Sequence, residues 1–568
     1  MSVRWIHKTI TQDTDSGSLN LSLSYGKVVS DLLVLRGIKN DSDARVFFHP
    51  DLSQLHNPFQ MKGMEEAIER ISKAFLEKEK ILVYGDYDVD GTTAVALVYS
   101  YLKLIHAEVN YYVPDRYSEG YGISFKGIDF ASENGFSLII ALDCGIKSVD
   151  KVEYAKQKGI DFIICDHHLP GEILPNAVAI LDPKQLDCAY PYKELSGCGI
   201  GYKLCQAFQL KNNQDIGLLN QFLDLVAVSI AADIVPITGE NRVLAYYGLK
   251  ELNKLNRPGF RSIFTLNKKS GVITVTDLVF VLAPRINAAG RLEHASKAVE
   301  LLIATDEFEA VEIAKKINVT NTNRKDLDQS ITVEAIRMVQ SDDFYLASKS
   351  TVVFNQNWHK GVVGIVASRL VEKFYKPTVV LTESNGKATG SARSVKDFDV
   401  YDAIESCSHL LEQFGGHKYA AGLTLPLENV ESFRREFDFI VSQKISDELL
   451  IPRLDIDSKI NFLDINSNLV RHLKMFEPFG PGNMTPVFTT KGVMDTGWAK
   501  IVGNNHLKAE FFQIDNPTPR FQAIGFDFGD YLPILQNKIP LEICFTIEEN
   551  NWNGAISTQL VIKGIRHC

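Results

Sequence analysis

In the stretch ILVYGDYDVDGTT an apolar run carries the chain to Asp86, and two more carboxylates follow at alternate positions, Asp88 and Asp90. The setting recurs. Asp143 closes FSLIIALD, Asp166, His167 and His168 close IDFIICDHH, and Asp233 closes the apolar run LLNQFLDLVAVSIAAD. Hard divalent cations such as Mg²⁺ and Mn²⁺ take oxygen ligands, and an added imidazole tilts the preference toward Mn²⁺. Carboxylates gathered on one site repel one another unless cations neutralise them. This many exceed what one ion needs and suit a pair of ions about 3.5–4 Å apart that clamps a phosphoryl group, an arrangement that hydrolyses phosphodiesters or phosphoanhydrides. Gly91, Thr92 and Thr93 would open a helix whose N-terminus faces an anion. Taken alone, DxDxD also fits a solvated loop, and a lone His pair is commonplace; the joint pattern is what is specific. The spacing is not that of an EF-hand. Asp166 is either a ligand or a group that fixes a histidine tautomer.

Such residues need a scaffold that delivers them to one place. Apolar strands alternate with helical segments: MEEAIERISKAFLEK (64–78), then KILVYGD, TTAVALVYSYLKLI, AEVNYYVPDR, FSLIIALDCG and IDFIICDHH. That alternation predicts an α/β domain with a mostly parallel sheet, and ligands bind such sheets outside the C-terminal strand ends. Residues 218–236 read as a buried helix, and about 240–342 as a helical connector. TVVFNQNWHKGVVGI reads as strand-like and opens a second α/β unit. The last 115 or so residues, rich in short strands and turns, suggest a small β-barrel.

The chain has 568 residues, 45% of them hydrophobic, enough for three or four domains. No apolar run is long enough to span a membrane, and no signal peptide is recognisable. Eight cysteines are scattered without a CxxC pair, which suits a reducing, cytoplasmic compartment. The net charge of −10 argues mildly against a nucleic-acid partner, but an acidic site and acidic helix faces can hide a basic groove. Candidate groups for binding phosphates are Arg116 beside aromatics in PDRYSEGYG and Arg285, Asn287 and Arg291 in PRINAAGR, read as turn-rich. Ser391 and Arg393 in GSARS join them, with Gly415, Gly416 and His417 as a flexible loop. Trp358 either stacks a base or packs beside a glycine turn. Arg471, Lys474 and Lys508 are weaker candidates in the barrel.

YGDYDVDGTT, ALDCG, CDHH and AADIVP, in that order, resemble the successive motifs of the DHH phosphoesterase superfamily. APRINAAGRL, WHKGVVGIVASRL, GSARS and FGGHKYAAG resemble the connector and DHHA1 domain of its single-strand-specific exonuclease branch, and FEPFGPGNMTPVF resembles the start of that branch's C-terminal OB fold. The resemblance runs from about residue 35 to the end. It implies a division into an N-terminal extension (1–45), DHH domain (46–240), helical connector (241–344), DHHA1 domain (345–448) and OB-like domain (449–568).

The resemblance further implies an exonuclease, dependent on two Mn²⁺ or Mg²⁺ ions, that degrades single-stranded DNA 5′ to 3′ to 5′-mononucleotides in DNA repair and recombination. By position, Asp88, Asp90, Asp143, His167 and Asp233 match metal ligands, with Asp143 and Asp88 placed to bridge. His168 matches the histidine at the scissile phosphate, and Asp86 a water-orienting group. Arg116, Arg285, Ser391, Arg393 and His417 match contacts to the 5′ end. Tyr84 stands where some relatives have His, and FGGH has one glycine fewer than is common. A monomer working with a RecQ-type helicase and a single-strand-binding protein, without a membrane, is the implied setting. Two alternatives are a short-substrate relative (nano-RNase, pAp phosphatase or pyrophosphatase) and a non-catalytic, single-strand-binding replication scaffold. The added length speaks against the first and the complete acidic set against the second.

Overall fold

The computed structural model describes residues 3–10, 21, 24–552 and 555–568. Of the expected N-terminal extension, residues 1, 2, 11–20, 22 and 23 therefore lie outside the described residues. Strand β1 (Arg4–His7) pairs in parallel with Arg453–Ile456, far along the chain.

The first sheet holds β2 (Lys80–Gly85), β3 (Val109–Tyr112), β4 (Phe136–Leu142), β5 (Asp161–Cys165) and β6 (Ala179–Leu181), all parallel, in the order β3-β2-β4-β5-β6. Parallel strands covered on both faces read as continuous apolar runs because each alternate side chain finds a core. Ile81, Val83, Leu138, Ile140 and Ile163 join the core made with helices Met64–Leu76, Val89–Ile105 and Gly197–Lys211. Leu82, Tyr84, Ile139, Ala141 and Ile164 face the opposite core, with helices Phe125–Glu133 and Val149–Gln157.

The run read as one buried helix over 218–236 is a tight 3₁₀ stretch, Ile216–Phe222, followed by the α-helix Leu223–Ala232. The connector is helical, as expected, and PRINAAGR lies within it as part of the helix Ala283–Leu292 rather than a turn-rich segment. Ala and Arg suit a helix interior, and Pro284 follows closely on a π-helical stretch, Leu278–Leu282, that runs into this helix. The connector ends in one 35-residue helix, Glu307–Ser341, about 52 Å long at the α-helical rise. Its first half (Ile313, Ala314, Ile317) packs into the core of the first unit, and its second half (Ile331, Ala335, Val339) into that of the next. It is a beam between two α/β units.

In the second unit β7 (Thr351–Phe354), β8 (Thr378–Ser384), β9 (Lys387–Arg393), β10 (Gln413–His417) and β11 (Ala420–Pro426) form a sheet in the order β10-β11-β9-β8-β7. Of the stretch read as strand-like, only Thr351–Phe354 is strand; turns lead from it into the helix Val363–Phe374. FGGH is not a loop: it is the edge strand β10, antiparallel to β11.

After β12 (Arg453–Ile456) and β13 (Ser458–Lys459), the C-terminal unit contains β14 (Phe488–Asp495), β15 (Lys500–Val502), β16 (His506–Gln513), β17 (Phe521–Gly525), β18 (Leu541–Trp552) and β19 (Ala555–His567). β14-β18-β19-β17-β16 close on themselves through a β14–β16 pairing, so the expected barrel is present. Closure removes sheet edges. Helices Lys27–Val34 and Asp41–Phe48 pack into its core through Val29, Leu32, Leu33, Ala44 and Phe48. The barrel is also bolted to the first unit. Arg242 of helix Gly239–Leu252 donates to the carbonyls of Phe476 (2.7 Å), Met475 (3.0 Å) and Glu477 (3.0 Å), with the Phe47 ring 3.9 Å from its guanidinium carbon. The Ile237 N–H donates to the Pro481 carbonyl at 2.7 Å. All eight cysteines are free thiols. Among the described residues no helix is long and apolar enough to cross a membrane.

Candidate metal centre and anion pocket

β2 lies between β3 and β4. Connections leave it in opposite directions, which opens a crevice at the C-terminal strand ends. Asp86, Asp88 and Asp90 follow β2, Asp143 follows β4, and Asp166, His167 and His168 follow β5. Asp233 arrives from elsewhere, as the C-cap of helix Leu223–Ala232. The His167 Nε2 atom lies 3.1 Å from Asp143 Oδ1, 3.6 Å from Asp233 Oδ2 and 3.8 Å from Asp90 Oδ2. Two groups of donor atoms result, Asp143–His167–His168 and Asp90–His167–Asp233, each within 4.8 Å, and they share His167. The Asp88 carboxylate caps its helix by accepting from the Gly91 N–H at 3.0 Å and also reaches the Asp143 carboxyl.

Of the carboxylates around His167 Nε2, Asp90 is the most firmly held. It accepts from the N–H groups of Gly197 (2.7 Å) and Cys198 (2.8 Å) and from the Ser229 hydroxyl (2.7 Å). The first two open helix Gly197–Lys211, an end that favours negative charge. Gly197 is required there: a Cβ would lie 2.6 Å from the Asp143 Cβ.

Burial, then the neighbouring aspartates, pushes the Asp143 and Asp88 carboxyls upward, and burial with adjacent carboxylates drives Asp86 and Asp233 up to about 8. Acidic groups packed so closely lack compensating positive charge. Asp86 Oδ2 and His167 Nδ1 are buried with no hydrogen-bond partner, and so is Asp143 Oδ1, close to His167 but poorly aligned with it. The donor set of carboxylate oxygens with one central imidazole therefore fits hard divalent cations.

Asp166 stands apart. Its oxygens accept from the N–H groups of His167 (2.8 Å), His168 (3.1 Å) and Ile146 (2.9 Å) and from His168 Nδ1 (2.7 Å). Despite burial, these bonds hold it at about 2, and they help raise the His168 imidazole to about 9. Of the two readings of Asp166, positioning a histidine is the one this geometry fits.

Positive charge gathers beside the acidic crevice. The Arg116 guanidinium lies 4.9 Å from the centre of the Tyr87 ring. Withdrawal from water, then the nearby Arg116, Arg324 and Arg393, pushes Arg291 down to about 10. Arg393 donates to the Ser391 hydroxyl at 2.7 Å, and both side against Gly364, at the start of helix Val363–Phe374, whose N-cap has no capping side chain. Clustered guanidiniums at an uncapped helix N-terminus form an anion site. Gly415, Gly416 and His417 sit exposed on β10, and His417 lies near enough to His168, Lys147 and Lys184 for their charges to add to the effect of burial in lowering its imidazole.

Several candidates are placed elsewhere. Arg285 is tied into the connector, donating to the Val281 carbonyl (2.5 Å), to Asn318 Oδ1 (3.0 Å) and to Asn267. Asn287 is half-buried on the same helix. Trp358 is packed in the second unit's core, its indole N–H donating to Glu334 at 2.8 Å. In the barrel, Lys474 pairs with Glu549 at 2.7 Å, Arg471 donates to Asn468 at 2.7 Å, and Lys508 lies over the exposed Trp498 ring. Sequence reasoning missed Gly197, Ser229, Arg324 and Tyr121. Only Tyr121 had a signal, being in the stretch already singled out for Arg116.

Comparison with known proteins follows the same division. Models of the DHH family N-terminal domain, the DHHA1 domain and the RecJ OB domain match residues 80–230, 345–443 and 456–564. The single-stranded-DNA-specific exonuclease RecJ of Bacillus subtilis is 38% identical over 99% of this chain and 70% of its own length. The Escherichia coli protein of that name is 32% identical over 89% of this chain and 90% of its own. The chain belongs to the RecJ family. The crystal structure of Thermus thermophilus RecJ in complex with Mn²⁺ matches all of this chain and 80% of its own, with a TM-score of 0.84 at 25% identity. The α/β, connector, α/β and barrel order of this chain is thus the RecJ architecture.

Proposed function

We propose that the protein is a single-stranded-DNA-specific exonuclease that removes 5′-mononucleotides from the 5′ end, dependent on two Mn²⁺ or Mg²⁺ ions and acting in the cytoplasm in DNA repair and recombination. Solved relatives hold Mn²⁺ or Mg²⁺. The observation that carries the reading is the nearness of two opposite sites: a carboxylate–imidazole cluster that needs cations and an arginine pocket that needs an anion, with Arg116 close enough to act on the Asp86 carboxyl. Asp88, Asp90, Asp143, His167 and Asp233 would hold the metal, with Asp88 reaching the Asp143 carboxyl. When bound, the ions supply charge neutralisation at the scissile phosphate and activate water.

The chain's own residues do the rest. Asp90 is locked by a helix N-terminus, which fixes one side of the cluster. Asp166 pairs with His168 Nδ1 and so fixes one edge of the ring, which is turned toward the scissile phosphate. Asp86, with one bare buried oxygen, orients water. Arg116, Arg291, Ser391 and Arg393, with Arg324 nearby, receive the terminal 5′-phosphate, and His417 joins them from the side of His168. A terminal phosphate held beside the cluster would set both polarity and product size. Arg285 acts from within the connector, where its guanidinium is tied to Val281, Asn318 and Asn267, and Asn287 lies on the same helix. The barrel adds a sequence-tolerant strand grip.

The same reading includes the division 1–45, 46–240, 241–344, 345–448 and 449–568, a monomeric state, and cooperation with a RecQ-type helicase and a single-strand-binding protein. The test uses one long single strand labelled separately at each end, with Mn²⁺, Mg²⁺ or EDTA. Metal-dependent release of labelled mononucleotide from the 5′ end is expected. Release first from the 3′ end would overturn the polarity, and cleavage of dinucleotides alone would move the assignment to the short-substrate relatives.

A further inference from the structure

His168 is held at one edge by Asp166, but a single bond at Nδ1 leaves an imidazole free to tilt about it. Its other edge also has a partner: the Tyr121 hydroxyl lies 3.2 Å from His168 Nε2. We propose that Tyr121 is a positioning residue for phosphodiester cleavage, pinning the Nε2 edge of His168 so that the ring meets the scissile phosphate in one orientation. This rests on the exonuclease reading above.

The loop that carries Tyr121 is built to place it. Asp115 accepts from the N–H groups of Tyr117 (3.1 Å) and Ser118 (2.8 Å). Glu119 accepts from the hydroxyls of Tyr112 (2.9 Å) and Ser124 (2.6 Å). Tyr121 itself stands between Gly120 and Gly122, at φ 88° and 73°, a left-handed pair that glycine adopts without strain. The Gly122 N–H then donates to Asp86 at 3.2 Å, which ties the loop to the strand end bearing the aspartates. The Tyr121 ring is edge-on to both Tyr87 and His168, at 6.1 Å in each case.

A structural role explains little of this. Tyr121 is 56% exposed as a whole, while its hydroxyl is withdrawn from water beside the aspartates, so the group is held in the site and not in a hydrophobic core. The bond matters for where His168 points. Displacement of a reacting group by about 1 Å costs about 10²-fold in rate, and removing one of two pins permits a shift of that kind.

Tyr121→Phe keeps the ring and deletes the hydroxyl. Expected on 5′-phosphorylated single-stranded DNA at saturating Mn²⁺ is a tenfold to hundredfold fall in kcat with KM within twofold and an unchanged unfolding temperature. In a His168→Ala background the same substitution should cost nothing further, because both changes act through one imidazole. In metal-free protein with ¹⁵N-labelled histidine, Tyr121→Phe should move the Nε2 resonance that His168→Ala removes. A wild-type kcat, a fall that adds fully to that of His168→Ala, or an unmoved resonance would overturn the proposal. So would a rise in KM alone, the mark of an aromatic that merely stacks on a base. The wild-type protein on the same strand reports the exonuclease reading separately, and the resonance test does not depend on it.

Discussion

Gly197→Ala concentrates the reasoning about the site into one methyl group. Built onto Gly197, that methyl lies 2.6 Å from Asp143 Cβ and 2.9 Å from Asp143 Oδ1, where ordinary contact begins at 3.4 Å, so the two must part by about 0.8 Å. Asp143 cannot yield easily: it sits at φ 59°, and its N–H donates to the Cys165 carbonyl at 2.8 Å. The helix beginning at Gly197 cannot yield either without stretching the 2.7 and 2.8 Å bonds that hold Asp90. Whichever side moves, one proposed ligand is displaced by most of an ångström. Overpacking of this kind costs about 1–3 kcal/mol of stability, and the displacement about 10²-fold in rate. The assay is the initial rate of mononucleotide release across a Mn²⁺ titration, with single-strand binding in EDTA and far-UV circular dichroism as controls. A variant that folds, binds the strand and cleaves within twofold of wild type at the same Mn²⁺ would refute the claim that helix Gly197–Lys211 sets the spacing of the cluster.

Arg393→Ala should raise KM for a 5′-phosphorylated strand about tenfold to a hundredfold, as loss of a charge-assisted bond of about 1.5–3 kcal/mol implies, and leave a 5′-hydroxyl strand nearly unaffected; equal losses on both strands would place Arg393 elsewhere. Trp358→Phe should cost about 1 kcal/mol in chemical denaturation through the lost bond to Glu334 and leave kcat and KM unchanged, whereas a large rise in KM would restore base stacking. His472 is buried in the barrel unit, and burial lowers its imidazole pKa in the folded state. The folded protein therefore binds this proton less readily than the unfolded chain, and stability should be complete above about 6.5 and decline as pH falls through that unfolded value. Denaturation midpoints across pH for wild type and His472→Asn should differ in this window, and parallel curves would show that His472 does not contribute.

The parallel sheet and its acidic strand ends were legible because they are local: an apolar run long enough for a buried strand, then a carboxylate. Asp233 was legible for the same reason, although it ends a helix instead of a strand. What could not be read was partnership across the chain. Gly197 looks like any glycine until Asp143 is beside it, and Ser229 until Asp90 is. Arg285 and Arg291, six residues apart on one helix, are alike in sequence, yet one is tied into the connector and the other sits in the arginine pocket. PRINAAGR was misread because Pro, Asn and Gly signal turns, whereas here the proline is accommodated just after a π-helical stretch in a continuous helical run. FGGH was misread because glycines suggest mobility, whereas β11 supplies the pairing that makes them a strand.

The bolt between Arg242 and the carbonyls of residues 475–477 also orders events in time. Arg242 is 3% exposed, and besides the earlier Phe47 carbonyl the acceptors that enclose it lie more than 230 positions later in the chain. At about 5–20 residues per second of synthesis, on the order of 10–50 seconds separate the emergence of the guanidinium from that of its partners. Through that interval the helix following Asp233 has a hydrated cation where the finished molecule has a sealed joint. The part of the chain that bears the acidic cluster is made first, and the part that locks the segment after Asp233 in place is made last.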